Sequence, residues 1–413
     1  MKIPSEVRGF LRYAMEKDQT MLHVRLQRGA DKRAKNGHPW IFSNEIGEIS
    51  GERIPGETAE VFNAGGDYIG TGYYNPQSLI AVRLLSRNRE DIDSEPFYRQ
   101  RILKALDYRH ARYPGWETFR AVYGEGDFLP GLVVDKYAGY LSVQFLTRGI
   151  ERRRDLVIGA LVDIFAPKGI AGRNDVAVRS LEGLEEKVEV LYGEIPETVE
   201  VDEHGLRFLV NILEGQKTGH FLDQKENHQI LEKICGGKNV LDCFCYTGSW
   251  AIHAAAYGAN SVTGVDSSEK AISIGRENAS RNGLSGKIRF EASDAFERLR
   301  SLKSEGKPFD VVVLDPPAFI KSRKHVKEGI KGYLTINRRA MDILADGGYL
   351  VTCSCSHHMS IEMFREMLHK AAVQAGLEMR LLETRSQAPD HPVLLSVPET
   401  EYLKCFVLQA ASR

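Results

Sequence analysis

Two apolar residues that end on an acid, a loop with a single glycine and a string of helix formers follow one another at Val240-Leu241-Asp242-Cys243-Phe244-Cys245-Tyr246-Thr247-Gly248-Ser249-Trp250. That order predicts a buried strand, a tight turn and a helix running on through Ala251, Ile252 and Ala254 to Ala256. A second short apolar segment, Ser261-Val262-Thr263-Gly264-Val265, closes on Asp266 about two dozen residues after Asp242. An acid at that place in a strand-helix-strand unit accepts hydrogen bonds from a ribose diol, so a nucleoside-bearing ligand is expected. A dinucleotide is not. Its pyrophosphate needs Gly-x-Gly-x-x-Gly at the helix start, and only Gly248 is present here.

The chain beyond this unit reads as more of the same sheet. Ile288-Arg289-Phe290 and Ser293-Asp294 give a third strand ending in an acid that can accept the exocyclic amine of an adenine. The fourth, Phe309 to Leu314, is almost wholly apolar, as a strand buried on both faces must be. It ends in Asp315-Pro316-Pro317-Ala318-Phe319, where two prolines stiffen the loop that carries the acid. Ligands of open α/β sheets bind beyond the carboxyl ends of the strands, which puts Asp242, Asp266 and Asp315 at one opening. The fifth strand, from Gly347, runs out through Thr352-Cys353-Ser354-Cys355-Ser356-His357-His358. Cys353 and Cys355 share a face by alternation, but Cys355 is about 7 Å nearer the carboxyl end at the usual strand rise and is the one expected to react. Such a thiol needs help to ionise, and Lys321, Arg323 and His357 are the expected sources. A helix from Ile361 to Ala375 precedes an antiparallel pair expected at Asp390–Leu394 and Glu401–Leu408. Before the sheet, Gln216, Lys217 and Thr218 offer donors suited to a carboxylate, and Asp223 is placed either for the same ligand or to cap the next helix.

The first half of the chain is built differently. Residues 1–20 form an extension that is expected to be dispensable. From Met21 to residue 93, short strands punctuated by glycines, as in Gly65-Gly66-Asp67 and Gly70-Thr71-Gly72, predict a small β-barrel. Arg28, Lys32, Arg33 and Lys35 precede His38-Pro39-Trp40-Ile41-Phe42, a sequence of cations and then aromatics that suits RNA, although cations on a solvated face look the same. Residues 94–195 predict an α+β unit: a helix from Pro96 to Arg112, a hairpin turning at Ala138-Gly139, and a helix start at Arg148 to Arg154 whose arginines face solvent. Residues 196–413 hold the parallel sheet. The formal net charge of −1 excludes a chain that wraps nucleic acid through bulk charge, so any RNA site has to be local. Six cysteines without finger spacing or a leader fit a reducing cytoplasm. No apolar run reaches the roughly 18 residues of a membrane span. A metal held by Cys353, Cys355, His357 and His358 is not expected, because neighbours on a strand point to alternate faces.

Several of these pieces resemble known motifs. Asp242-x-Phe244-x-Tyr246-x-Gly248 is similar to the first motif of class I S-adenosylmethionine methyltransferases, Asp315-Pro316-Pro317-x-Phe319 to the fourth motif of those acting on nucleobases, and the run from Lys35 to Phe42 to the signature of RNA-binding PUA domains. Ser354-Cys355-Ser356 aligns with the sixth motif, Thr/Ser-Cys-Ser, a pattern that Thr352-Cys353-Ser354 also fits. Together they resemble bacterial large-subunit rRNA cytosine-5 methyltransferases of the RlmI type. The resemblance implies a PUA barrel, an α+β middle domain and a Rossmann-like methyltransferase domain. It also implies S-adenosylmethionine as cofactor and large-subunit rRNA as partner, without membrane or metal; the oligomeric state is left open, a homodimer included. Asp266 and Asp294 would hold the cofactor with Asp242, Tyr246 and Gly248, Asp315 would contact the target base, and Cys355 would be the nucleophile. Lys321 and Arg323 would join the basic residues of the barrel in gripping RNA. Ala318 departs from the many cytosine-5 enzymes that carry a second cysteine there. Two rivals are a guanine methyltransferase, which needs no cysteine, and a noncatalytic RNA-binding protein that keeps the fold.

Overall fold

The computed structural model describes residues 21–320 and 322–411. The expected extension, residues 1–20, and Lys321 lie outside the described residues. The described residues form two compact units, one running up to Val199 with Asn211–His220 and Pro389–Thr400, the other made of Glu200–Val210, those between Phe221 and Ala388, and those from Glu401 on.

In the first unit, alternation turns Leu22, Val24 and Leu26 inward against Ala59, Val61 and Val82, the core of a six-stranded sheet. A five-stranded sheet follows, covered by helices Glu95–Arg112 and Arg154–Phe165 through Tyr98, Ile102, Val157 and Leu161. The expected hairpin is present as Leu132–Tyr137 with Tyr140–Phe145, and Ala138 takes the left-handed conformation its two-residue turn demands (φ 52°). The arginines at the helix start are not all solvated as expected. Arg153 is 2% exposed, donates to the carbonyls of Gly56 and Gly149 and to the Thr58 hydroxyl, and pairs with Asp93 at 2.7 Å. A guanidinium has enough donors to satisfy several acceptors in a dry site, which sequence spacing does not reveal.

The second unit is a seven-stranded sheet. In chain order its strands are β1 (Asn239–Cys243), β2 (Ser261–Asp266), β3 (Ile288–Ala292), β4 (Phe309–Leu314), β5 (Leu344–Ser354), β6 (Met379–Arg385) and β7 (Lys404–Ala410), and they lie in the order β3-β2-β1-β4-β5-β7-β6. The first five are parallel; β7 runs antiparallel between β5 and β6. Helices α1 (Ser249–Ala256), α2 (Glu269–Arg281), α3 (Ala295–Glu305), α4 (Val326–Met341) and α5 (Ile361–Ala375) connect them. Leu299, Tyr333, Ile336 and Phe364 of α3, α4 and α5 pack with Leu241, Val312, Leu350 and Phe406 of the sheet. The closing pair corrects the expectation for residues 390–394. The partner of β7 is Met379–Arg385, an edge strand with exposed positions that hide its periodicity, and Asp390 instead accepts from the Arg120 backbone N–H at 2.9 Å within the first unit.

Candidate active site

The parallel strands bring their carboxyl ends to one edge: β1 ends beside Asp242, β2 on Asp266, β4 just before Asp315 and β5 just before Cys355. The loop after β1 is strained. Phe244 (φ 66°) and Tyr246 (φ 50°) are both left-handed without being glycine, a conformation that costs on the order of 1–3 kcal/mol each and that tends to collect at ligand sites. Gly248 (φ 89°) ends the loop, and a Cβ there would meet the Phe290 ring at 2.8 Å. Asp266 fastens the loop: one carboxylate oxygen accepts from the Tyr246 N–H and the other from the Ser268 N–H, each at 2.9 Å, and the side chain stays half-buried with lone pairs to spare.

Asp242 is fully buried. One oxygen accepts from the Ala251 N–H of α1 at 3.0 Å; the other has no hydrogen-bond partner, and neither does the buried hydroxyl of Thr247. Burial, with Asp315 and Asp266 nearby, holds its carboxyl well above the usual carboxylate range against the Ala251 bond. Two orphaned polar atoms beside a strained loop fit a ligand that brings donors and a positive charge. Asp315 accepts from Gln224 Nε2 at 3.0 Å and from Trp250 Nε1 at 3.2 Å.

The other expected residues divide by burial. Asp294 is exposed and caps α3 by accepting from the Glu297 N–H. Asp223 is buried and accepts from the Tyr402 hydroxyl at 2.6 Å. Gln216 and Lys217 are exposed, whereas Thr218 is buried and gives its hydroxyl proton to Asp135 inside the first unit. In the barrel, Arg28 and Lys32 are exposed, Arg33 lies over the Phe42 ring and pairs with Glu45 at 3.2 Å, and Lys35 pairs with Asp31. Trp40 donates to Glu125 at 2.8 Å. Arg323 is exposed in a short turn.

Cys355 is half-buried, and the other five cysteines are buried. Burial pushes the thiols of Cys243, Cys245 and Cys353 up, and that of Cys235 up to about 11. Around Cys355 the structure adds groups that the sequence reading missed. Ser356 accepts at its hydroxyl from the Ile320 N–H and lies 3.0 Å from the Tyr333 hydroxyl, tying the loop after β4 to the exit of β5. Lys404 of β7 donates to the carbonyl of Ser356. His357, although exposed at its edge, is pulled down by the packing around it and then by Lys404 and His358, which disfavours it as the expected cation.

Residues 24–87 match a PUA-like domain and residues 160–397 an S-adenosylmethionine-dependent methyltransferase. The ribosomal RNA large subunit methyltransferase I of Aeromonas hydrophila is 40% identical over 392 residues, 94% of this chain and 99% of that one. Its namesakes from Pseudoalteromonas atlantica and Klebsiella pneumoniae are 38% and 36% identical over 92% of this chain and 97% and 96% of theirs. The chain belongs to this methyltransferase family. A solved Streptococcus mutans protein described as an S-adenosylmethionine-dependent methyltransferase shares the fold at 21% identity, with a TM-score of 0.81 over 94% of this chain and all of that one. A methyltransferase complexed with S-adenosylhomocysteine does so with a TM-score of 0.82, again at 21% identity, over 94% of this chain and all of that one. The cofactor of this methyltransferase is S-adenosylmethionine, which supplies an electrophilic methyl group on a positively charged sulfur. No helix among the described residues is long and apolar enough to cross a membrane.

Proposed function

We propose that this methyltransferase forms 5-methylcytosine in large-subunit rRNA, in the cytoplasm, with Cys355 as nucleophile and Asp315 on the target base. The carrying observation is the burial contrast among the cysteines: Cys355, just beyond β5, is half-buried and the other five are buried. The names of the relatives, all of them large-subunit rRNA enzymes, support the substrate class. Exposed Arg28, Lys32 and Arg323, with Lys321, are proposed to meet the phosphates. On the cofactor side Asp266 is proposed to take the ribose hydroxyls, Asp294 the adenine amine, and Asp242 with the loop of Tyr246 and Gly248 the methionine end; Gln216, Lys217 and Asp223 stand as proposals for its polar groups. Thr218 is left out, its donor being spent on Asp135.

C5 of cytosine is a weak nucleophile. The Cys355 thiolate adds to C6, which turns C5 into an enamine-like carbon; C5 takes the methyl group, then loses its proton to a base, and the C6–S bond breaks to return the thiolate. RNA with 5-fluorocytosine at the target stops this sequence, since fluorine cannot leave as a proton does. A covalent enzyme–RNA adduct mapping to Cys355 is expected, together with loss of 5-methylcytosine from large-subunit rRNA of cells lacking the gene. Methylated guanine as product would favour a ring-nitrogen or amino chemistry instead, and no methyl transfer to any RNA would leave a binding protein.

A further inference from the structure

Strand β7 opens on a buried charge, Lys404, ahead of the buried apolar Cys405, Phe406, Val407 and Leu408. Lys404 stands opposite Ser354 across the antiparallel β5–β7 pair, and from Leu403 to Val407 no residue is more than 5% exposed. Its ammonium donates to the Ser356 carbonyl at 2.8 Å and to the Tyr402 carbonyl at 2.7 Å. Among the described residues no carboxylate oxygen lies within 4.0 Å of it. A dry ammonium bonded only to neutral carbonyls is costly, because these offset only part of its lost hydration. An anion beside it would complete the arrangement. The charged groups whose fields reach it are Cys355, from the exit of β5, and Glu401, just before its own strand; His357 and His358 follow Cys355 on the same loop, and the Tyr333 hydroxyl of α4 lies 3.0 Å from that of Ser356. Glu401 is exposed and screened by water. Cys355 is half-buried, and it lies between Ser354, the strand partner of Lys404, and Ser356, whose carbonyl Lys404 holds.

We propose that Lys404 is the positioning residue for Cys355, its ammonium favouring the thiolate while its hydrogen bond fixes the backbone that aims it. The inference rests on the reading of Cys355 as the nucleophile. It adds to the cations expected on the loop after β4 one on the neighbouring strand. Burial draws Lys404 itself down to about 8, against the pull of Cys355 and Glu401, so the ammonium is present near neutral pH and is lost in alkali.

The test reads the thiol and not the reaction. Iodoacetamide modification of Cys355 in the full chain is followed by peptide mass spectrometry from pH 6 to 10 in wild type, Lys404→Met and Lys404→Arg. The wild-type midpoint is expected below the ordinary thiol value of about 8.5. Lys404→Met should raise it by about one unit, a tenfold slower modification at pH 7 that converges with wild type at pH 10; Lys404→Arg should stay near wild type. A merely structural lysine would change the rate equally at all pH values, and that result overturns the proposal, as does an unmoved midpoint. Where Lys404→Met does not fold, Lys404→Gln takes its place, and a wild-type midpoint at or above 8.5 overturns the proposal without any variant. An active Cys355→Ala enzyme would instead remove the nucleophile assignment, a separate observation.

Discussion

Replacing Asp266 with alanine removes two things at once, and the structure lets them be separated. The carboxylate accepts two backbone N–H bonds, from Tyr246 and Ser268. Each is worth about 0.5–1.5 kcal/mol net, so the fold should lose about 1–3 kcal/mol. For a unit of this size that lowers the melting temperature by roughly 2–4 °C per kcal/mol and leaves a folded protein. The proposed bond to a ribose hydroxyl would be charge-assisted and worth about 1.5–3 kcal/mol, hence about tenfold to a hundredfold in cofactor affinity. A double-mutant cycle isolates it. Calorimetry compares S-adenosylhomocysteine with its 2′-deoxy analogue on wild type and on Asp266→Ala: wild type should discriminate, and the variant should bind both equally and weakly. Equal discrimination by both proteins would mean that Asp266 only fastens the loop and that the ribose is held elsewhere.

Cys355→Ala should abolish methylation with cofactor affinity intact, whereas Cys353→Ala should stay active, its thiol being buried and pushed up; radiolabel transfer to rRNA decides, and an inactive Cys353→Ala that still folds would reverse the assignment. Gly248→Ala meets both a left-handed φ, about 1–2 kcal/mol, and the Phe290 ring, typically 1–3 kcal/mol of overpacking, so its melting temperature should drop and Phe290→Leu should partly restore it. Asp242 has a raised folded pKa, so the folded chain binds its proton more tightly than the unfolded chain does, and cofactor-free stability falls as pH rises above about 3.9 toward the raised value. Asp242→Asn should therefore gain on wild type in thermal melts between pH 4 and 7, and parallel curves would refute the burial argument. A chain starting at Met21 should methylate like the full one; inactivity with retained folding would give residues 1–20 a part in RNA binding.

What could be read in the sequence was whatever a local pattern carries. The apolar run of β4 predicted its burial, and the acids closing β1, β2 and β4 were found because a strand end is a local event. The preference for Cys355 over Cys353 followed from counting residues toward the carboxyl end, and their exposures agree with it. What could not be read depends on distant partners. Thr218 looked like a donor to ligand because Asp135, which takes its proton, belongs to another stretch of chain. Arg153 looked solvated because the carbonyl of Gly56 lies far upstream. Nothing local to the strand marks Lys404, and only the register with Ser354 places it beside the exit of β5. Strand β6 was missed for the opposite reason: with one face uncovered, it leaves too few apolar positions to show a period.

The electrostatics of the opening impose two opposed demands. Asp242, Asp266 and Asp315 stand at neighbouring strand ends, close enough that the last two raise the carboxyl of the first. Such a field favours a cation, and the sulfonium of the cofactor is one; once the methyl group has gone the sulfur is neutral, and the same field no longer retains it. A thiolate at the next strand end is disfavoured by that field, all the more in a dry site, as the raised Cys353 shows with Asp315 among its causes. On the proposed assignments, an acidic floor for the cofactor and an anionic nucleophile beside it call for a positive charge near the nucleophile. Strand β7, antiparallel and inserted next to β5, carries one in Lys404, opposite Ser354 and bonded to the Ser356 carbonyl.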